Sequence, residues 1–183
     1  MIAPDITISN TLRLIAPNVE RDAPRGVQWM HGPDGHETQR LMGIPPQDIH
    51  NHTLEEEQEL IASFVHGDDE LVWMIESDGR VVGVVEVGMN IPPEEHGPSL
   101  SIMIGDVSAR GKGIGSQAMS AVLHYLQEQG YGEVTARYLV SNSASAKMNE
   151  ALGFVRVGGA YVDEDGLEWQ NVVKRLSGHP GAM

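Results

Sequence analysis

Arg110-Gly111-Lys112-Gly113-Ile114-Gly115 is the segment of this sequence best suited to chemistry. An apolar run (Leu100, Ile102, Met103, Ile104) precedes it, and Met119, Val122, Leu123 and Leu126 follow at helical spacing. A glycine-rich strand-to-helix turn bares backbone N–H groups at the positive end of a helix dipole, and the missing side chains let a ligand reach the backbone. The chemistry is phosphate capture, with Ser116 adding a hydroxyl and Lys112 either a charge or only a solvated side chain. Two nucleotide motifs fail here. Five residues separate Gly105 from Gly111 where a P-loop has four, and Gly113 stands where Ser or Thr should follow the lysine. Gly111-Lys112-Gly113-Ile114-Gly115-Ser116 ends in Ser, not the Gly or Ala of a dinucleotide fingerprint, and antiparallel strand signals surround it.

The elements that must hold this turn can be read on either side. Residues 11–16 alternate as a first strand. Residues 17–52 carry Pro24, Gly26, Gly32, Pro33, Gly35, Gly43, Pro45 and Pro46, so any helix there should be short and broken. Thr53 and Glu56 form a capping box, after which Leu60, Ile61, Phe64 and Val65 give an apolar helix face ended by Gly67. Strands are expected at 71–76, 80–89 and 99–105, the first two joined at Asp78-Gly79. After the helix that ends at Gly130, strand 133–140 should run parallel to 99–105, because a helix crosses over between them. Asn142 caps a helix near 143–152, and two strands, 154–162 and 167–176, close the chain before a frayed 177–183.

Bulk properties limit the function. The chain of 183 residues has formal net charge −14, and its 12 Lys and Arg are scattered, which argues against nucleic acid. The acidity suits a cationic substrate less well than a solvated surface. No apolar stretch approaches the ~20 residues of a membrane span, and the first residues lack a secretory pattern, so a cytoplasmic protein is expected. The absence of cysteine excludes disulfides, thiolate zinc sites and a cysteine acyl-enzyme. His31, His36, His50 and His52 cluster within a short segment but lack ligand spacing, so no metal is expected. Trp29, Met30 and Met42 suit a pocket wall or the core.

One pattern remains, Arg/Gln-x-x-Gly-x-Gly/Ala, and Arg110, Gly113 and Gly115 fill it. Together with Asn142-Ser143-Ala144-Ser145-Ala146-Lys147-Met148-Asn149-Glu150-Ala151-Leu152-Gly153-Phe154, it resembles the GCN5-related N-acetyltransferases, the GNAT superfamily. The resemblance spans 71–176 clearly and 11–70 more loosely. Ile104-Gly105-Asp106 looks nearest to the ribosomal-protein and polyamine acetyltransferase branches. It implies an α+β fold over one domain, 1–183, with a central mixed sheet of about six to seven strands and about four helices. In that fold strands 99–105 and 133–140 splay apart.

The resemblance also implies acetyl-CoA as co-substrate. Arg110, Gly111, Lys112, Gly113, Ile114, Gly115 and Ser116 would hold its pyrophosphate, and Met103 and Ile104 its pantetheine arm. Asn142 would face the cofactor, cap its helix, or both. The implied reaction is direct attack of a neutral amine on the thioester. The amine would belong to a protein N-terminus, a polyamine, an aminoglycoside or another small amine, and a homodimer is a candidate assembly. Many relatives carry Tyr where this chain has Asn149, and many carry Glu where it has Ser99. Proton removal therefore falls to water, Glu86 or His96. Glu86 interrupts a valine-rich strand, which fits an outward-facing polar residue better than a base, and His96 reads as a plain loop residue. These replacements keep a second function open, an acetyl-CoA-binding sensor or scaffold without turnover. A third is another nucleotide-binding α/β protein.

Overall fold

Two runs of β-branched and aromatic residues set the centre of the fold. Glu70–Ser77 forms β3 and Arg80–Gly88 forms β4, an antiparallel hairpin turning at Asp78-Gly79 as the sequence signals. Each strand is buried over five consecutive residues, Leu71 to Ile75 and Val81 to Val85, so both faces of the sheet are covered. The structure is a computed structural model and describes residues 3–91 and 97–176. Its other strands are β1 (Ile6–Thr7), β2 (Leu12–Ile15), β5 (Ser99–Ile104), β6 (Glu133–Leu139), β7 (Val155–Val162) and β8 (Glu168–Arg175). They form one mixed sheet in the order β1-β2-β3-β4-β5-β6-β8-β7. Every neighbouring pair is antiparallel except β5 and β6, which are parallel.

Among the described residues the α-helices are α1 (Val19–Trp29), α2 (Gly32–Met42), α3 (Leu54–His66), α4 (Ile114–Glu128) and α5 (Ser143–Ala151). Strand alternation divides the core between the two faces of the sheet. Trp73, Ile75, Val85, Val87, Leu100 and Val134 meet Met119, Val122 and Leu126 of α4. Val72, Met74 and Val84 meet Ala23 and Trp29 of α1 and Ile61 of α3. No helix among the described residues is long and apolar enough to cross a membrane.

The α+β class, the parallel crossover and the capping box hold. Glu56 N donates to Thr53 Oγ1 at 3.2 Å, and Thr53 N donates to Glu56 Oε2 at 2.7 Å. The described residues form eight strands, counting the two-residue β1, and five helices, in keeping with the approximate counts expected. Two expectations need correction. Segment 17–52 holds two helices of 11 residues instead of short broken pieces. There Gly and Pro act as punctuation. Pro33 lies in the first turn of α2, where its missing N–H costs nothing, and Gly43 ends that helix at φ 88°. Pro24 does sit inside α1, but Asn18 Oδ1 accepts from Arg21 N while buried Asp22 accepts from Asn18 N, and packing against the sheet stabilises the rest. The buried face of α3 is also shifted. Glu57 and Ile61 are buried and Phe64 packs on the cluster that contains Ile61, whereas Leu60 and Val65 are exposed. The 177–183 tail lies outside the described residues.

Gly43 is doubly constrained, because a Cβ there would also collide with the Trp169 ring of β8. Gly43→Ala should lose about 2 kcal/mol or more, combining left-handed backbone strain with displacement of the ring. Urea unfolding checks this, and an unchanged midpoint would contradict the contact between α2 and β8.

Candidate active site

The register of β5 and β6 joins them at a single position, Ser99 opposite Thr135, with Thr135 N donating to Pro98 O at 2.9 Å. Beyond that point the strands diverge and a cleft of about 640 Å³ opens between them. Alternation along β5 makes the cleft run through the plane of the sheet. Leu100, Ile102 and Ile104 lie on the α4 side, near Met119 of α4 and Met148 of α5. Ser101 and Met103 lie on the opposite side, with Glu86 of β4 and with Leu41 and Met42 from the end of α2. Two ligands can therefore enter from opposite faces and meet in the gap.

The glycine turn forms one wall. Asp106 accepts from Ser108 N and pairs with Arg80 at 2.7 Å, fixing the short 3-10 turn Val107–Ala109. Arg110 then reaches back: Nε donates to Ile104 O at 2.8 Å and Nη2 to Thr38 Oγ1 at 2.7 Å. The arginine of the motif thus ties the turn to β5 and to α2. Gly113 caps α4 in the left-handed conformation, φ 76°, which a side chain would strain. Gln117 N donates to Gly113 O, so the N–H groups of Ile114, Gly115 and Ser116 precede the first intrahelical bond and lack a helical acceptor. Gly111, Gly113, Ile114, Gly115 and Ser116 all line the cleft, as do Met103, Ile104 and Arg110. Lys112 does not. It faces a neighbouring polar groove beside Ser9, Thr11 and Arg80.

Asn142 does what its cap position predicts, accepting from Ser145 N at 3.1 Å, and its Nδ2 reaches Leu41 O at 3.4 Å. It lines the cleft as well. Asn149 is buried in the cleft wall. Its Nδ2 donates to Ser145 O at 2.9 Å, and its Oδ1 has no partner among the described residues. Glu86 is not the solvent-facing residue that the sequence favoured. It is half-buried in the cleft, with Ser101 Oγ donating to it at 3.5 Å. Burial, and secondarily the charge of Glu70, push its carboxyl above the ordinary carboxylate range, opposed by the Ser101 hydrogen bond. His96 lies outside the described residues. His36, His50 and His52 face Asn51, Glu56 and Glu57 respectively. Among the described residues no group of three acidic or histidine side chains could hold a metal. Trp29 and Met30 are core residues, and Met42 lines the cleft.

The family model for the GNAT acetyltransferase domain matches residues 11–155. The chain belongs to this family. It is accordingly an acetyl-CoA-dependent acetyltransferase. An N-acetyltransferase 9-like protein of Nematostella vectensis is 25% identical over 151 residues, covering 79% of this chain and 75% of that protein. Among solved structures, the ribosomal L7/L12 alpha-N-protein acetyltransferase RimL with coenzyme A superposes with TM-score 0.75 at 18% identity, over 94% of this chain and 98% of that one. Spermidine N-acetyltransferase from Vibrio cholerae, with CoA and spermine, gives 0.72 at 17% identity over 91% and 96%. At these identities the likeness is one of fold.

Sequence reasoning missed Thr38, Ser101, Arg137 and Trp169, which all line the cleft. Alternation along β6 carried a signal for Arg137, since Val134, Ala136 and Tyr138 are the apolar face and Arg137 belongs to the other. Thr38 and Trp169 come from distant segments and had none.

Gly113→Asp adds a side chain at positive φ and a negative charge beside the N–H groups that open α4. Affinity for acetyl-CoA should fall by about 100-fold or more, with melting lowered by only a few degrees. Calorimetric titration of the variant checks this; wild-type affinity would remove the phosphate role from the turn.

Proposed function

We propose that this protein N-acetylates an amine by direct attack on acetyl-CoA. One observation carries the reading: a single cleft crosses the sheet, with a phosphate-type turn at one end and a carboxylate of raised pKa on the opposite face. The pyrophosphate sits on the N–H groups of Ile114, Gly115 and Ser116, with Lys112 adding charge from the adjoining groove. The pantetheine arm runs along the edge of β5 past Met103 and Ile104, and the thioester lies where β5 leaves β6. A neutral amine on the Glu86 side attacks the carbonyl carbon. A backbone N–H of Met103 or Ile104 stabilises the oxyanion, the C–S bond breaks, and coenzyme A leaves as its thiolate. Glu86 takes the proton that the amine nitrogen must lose, directly or through one water.

Asn149 replaces the usual tyrosine and has no dissociable proton for the thiolate, so the sulfur takes its proton from solvent. Asn149 instead positions the thioester from the wall of the cleft. An amine acceptor also agrees with the relatives, which include a protein N-terminal acetyltransferase and a spermidine acetyltransferase.

Glu86 works as a base only when ionised. The acidic limb of kcat/KM should therefore lie above the range of an ordinary carboxylate, with activity lost as pH falls through it. Glu86→Gln should lower kcat by about 100-fold or more and abolish that limb. The sign for stability is opposite. A carboxyl whose pKa is raised in the fold binds more protons there than in the unfolded chain, so its contribution worsens as pH rises through the folded pKa. Glu86→Gln should therefore melt higher than wild type at neutral pH, an advantage that shrinks in acid. Melting curves at the two pH values, run beside the rate profiles, test both signs.

Asn149→Leu removes a buried acceptor that has no partner among the described residues. The expected pattern is stability unchanged or increased by about 1 kcal/mol while acetyl transfer falls at least tenfold. Full activity in this variant would deny Asn149 any part in the reaction.

A further inference from the structure

The acceptor half of the cleft contains a second charged group that the reaction above does not use. β6 places Arg137 on the same face as Glu86. From the single parallel pair, Ser99 opposite Thr135, two residues onward bring Ser101 on β5 and Arg137 on β6 to the same level. Ser101 is the partner of Glu86 in the β4–β5 register. Glu86 and Arg137 therefore flank the opening at equal height, separated at the backbone by roughly two strand spacings, about 10 Å, plus the splay. Both side chains line the cleft.

Arg137 is held in place. Its guanidinium lies over the Trp169 ring, 4.4 Å from the centroid. The ring is itself pinned, since Trp169 Nε1 donates to Asp163 Oδ2 at 2.7 Å. The Leu167 N–H, then Trp169, hold the Asp163 carboxyl below its ordinary range, so it remains an anion at neutral pH. The ring contact uses none of the N–H donors of the guanidinium in a hydrogen bond, and Arg137 forms no ion pair among the described residues. Among the described residues, the charged side chains lining the cleft are Glu86, Arg110 and Arg137. This described lining is thus net positive although the chain carries −14. A polyamine or aminoglycoside would bring several positive charges against a fixed guanidinium.

Resting on the amine N-acetylation reading, we propose that the acceptor is an amine that also bears a carboxylate, a free amino acid or close analogue, with its nitrogen at Glu86 and its carboxylate on the donor rim of Arg137. A planar guanidinium fork matches a carboxylate bidentately, and this match discriminates against an amine lacking the anion.

The test is thiol release by the intact protein with acetyl-CoA and matched acceptors. These are the common L-amino acids, their decarboxylated amines (isoamylamine for leucine, phenethylamine for phenylalanine), spermidine and a short peptide amide. At least one amino acid should exceed its decarboxylated amine in kcat/KM by about 10-fold or more, the size of a charge-assisted pair. Arg137→Gln should erase that ratio by lowering kcat/KM for the amino acid far more than for the plain amine, and Arg137→Lys should restore part of it. Spermidine, the peptide amide or the plain amines reacting as well as every amino acid overturns this inference but leaves amine N-acetylation standing. So does an Arg137→Gln variant that melts lower and slows all acceptors equally, which marks the stack as a brace only. No release from any acceptor by protein that binds acetyl-CoA overturns both.

Discussion

The divergence of two parallel strands after one shared pair is the constraint on which the rest of this structure depends. A parallel ladder normally continues for the length of both strands, and backbone groups left without partners inside a protein are costly. Here β5 is held by β4 along its whole length, and β6 by β8, so each strand has one satisfied edge. The other edges meet only at Ser99 and Thr135. The result is an opening in an otherwise continuous sheet, lined on its margins by backbone polar groups suited to an amide-bearing ligand.

The opening persists because both faces around it are braced. On one face Met119, Val122 and Leu126 of α4 cover β3 to β6. On the other, α1 and α3 press on β3 and β4. Arg110 joins the two systems with donors to Ile104 O and Thr38 Oγ1, so the turn that opens α4 is referenced to β5 and to α2 at once. Gly43 performs a similar service at the far lip, ending α2 against the Trp169 ring.

Electrostatics within the cleft differ from those of the molecule. Among the described residues the cleft lining carries one carboxylate and two guanidinium groups, against a chain charge of −14. The charges that face one another across the opening are those of Glu86 and Arg137. Burial of Glu86 raises the basicity available for taking a proton from an amine.

Local chemistry was legible in the sequence where it is made by neighbours along the chain. The Arg110-to-Gly115 turn, the Thr53–Glu56 box, the Asp78-Gly79 hairpin and the Asn142 cap each depend on a few adjacent residues, and the structure forms each of them as local structure. The parallel crossover followed too, because a helix between two strands permits little else. The pair of helices in 17–52 was misread because Gly and Pro break a helix by local rules, while packing on the sheet and a cap at Asn18 outweigh them. The position of Glu86 in the cleft, its raised pKa, the anchoring of Arg110 and the approach of Arg137 to Trp169 arise between residues far apart in sequence. The chain by itself determined what family of turn it carries and between which strand and helix that turn lies. Only the tertiary structure decided which charges face one another across the opening, because side-chain direction follows strand register, and register is a property of the assembled sheet.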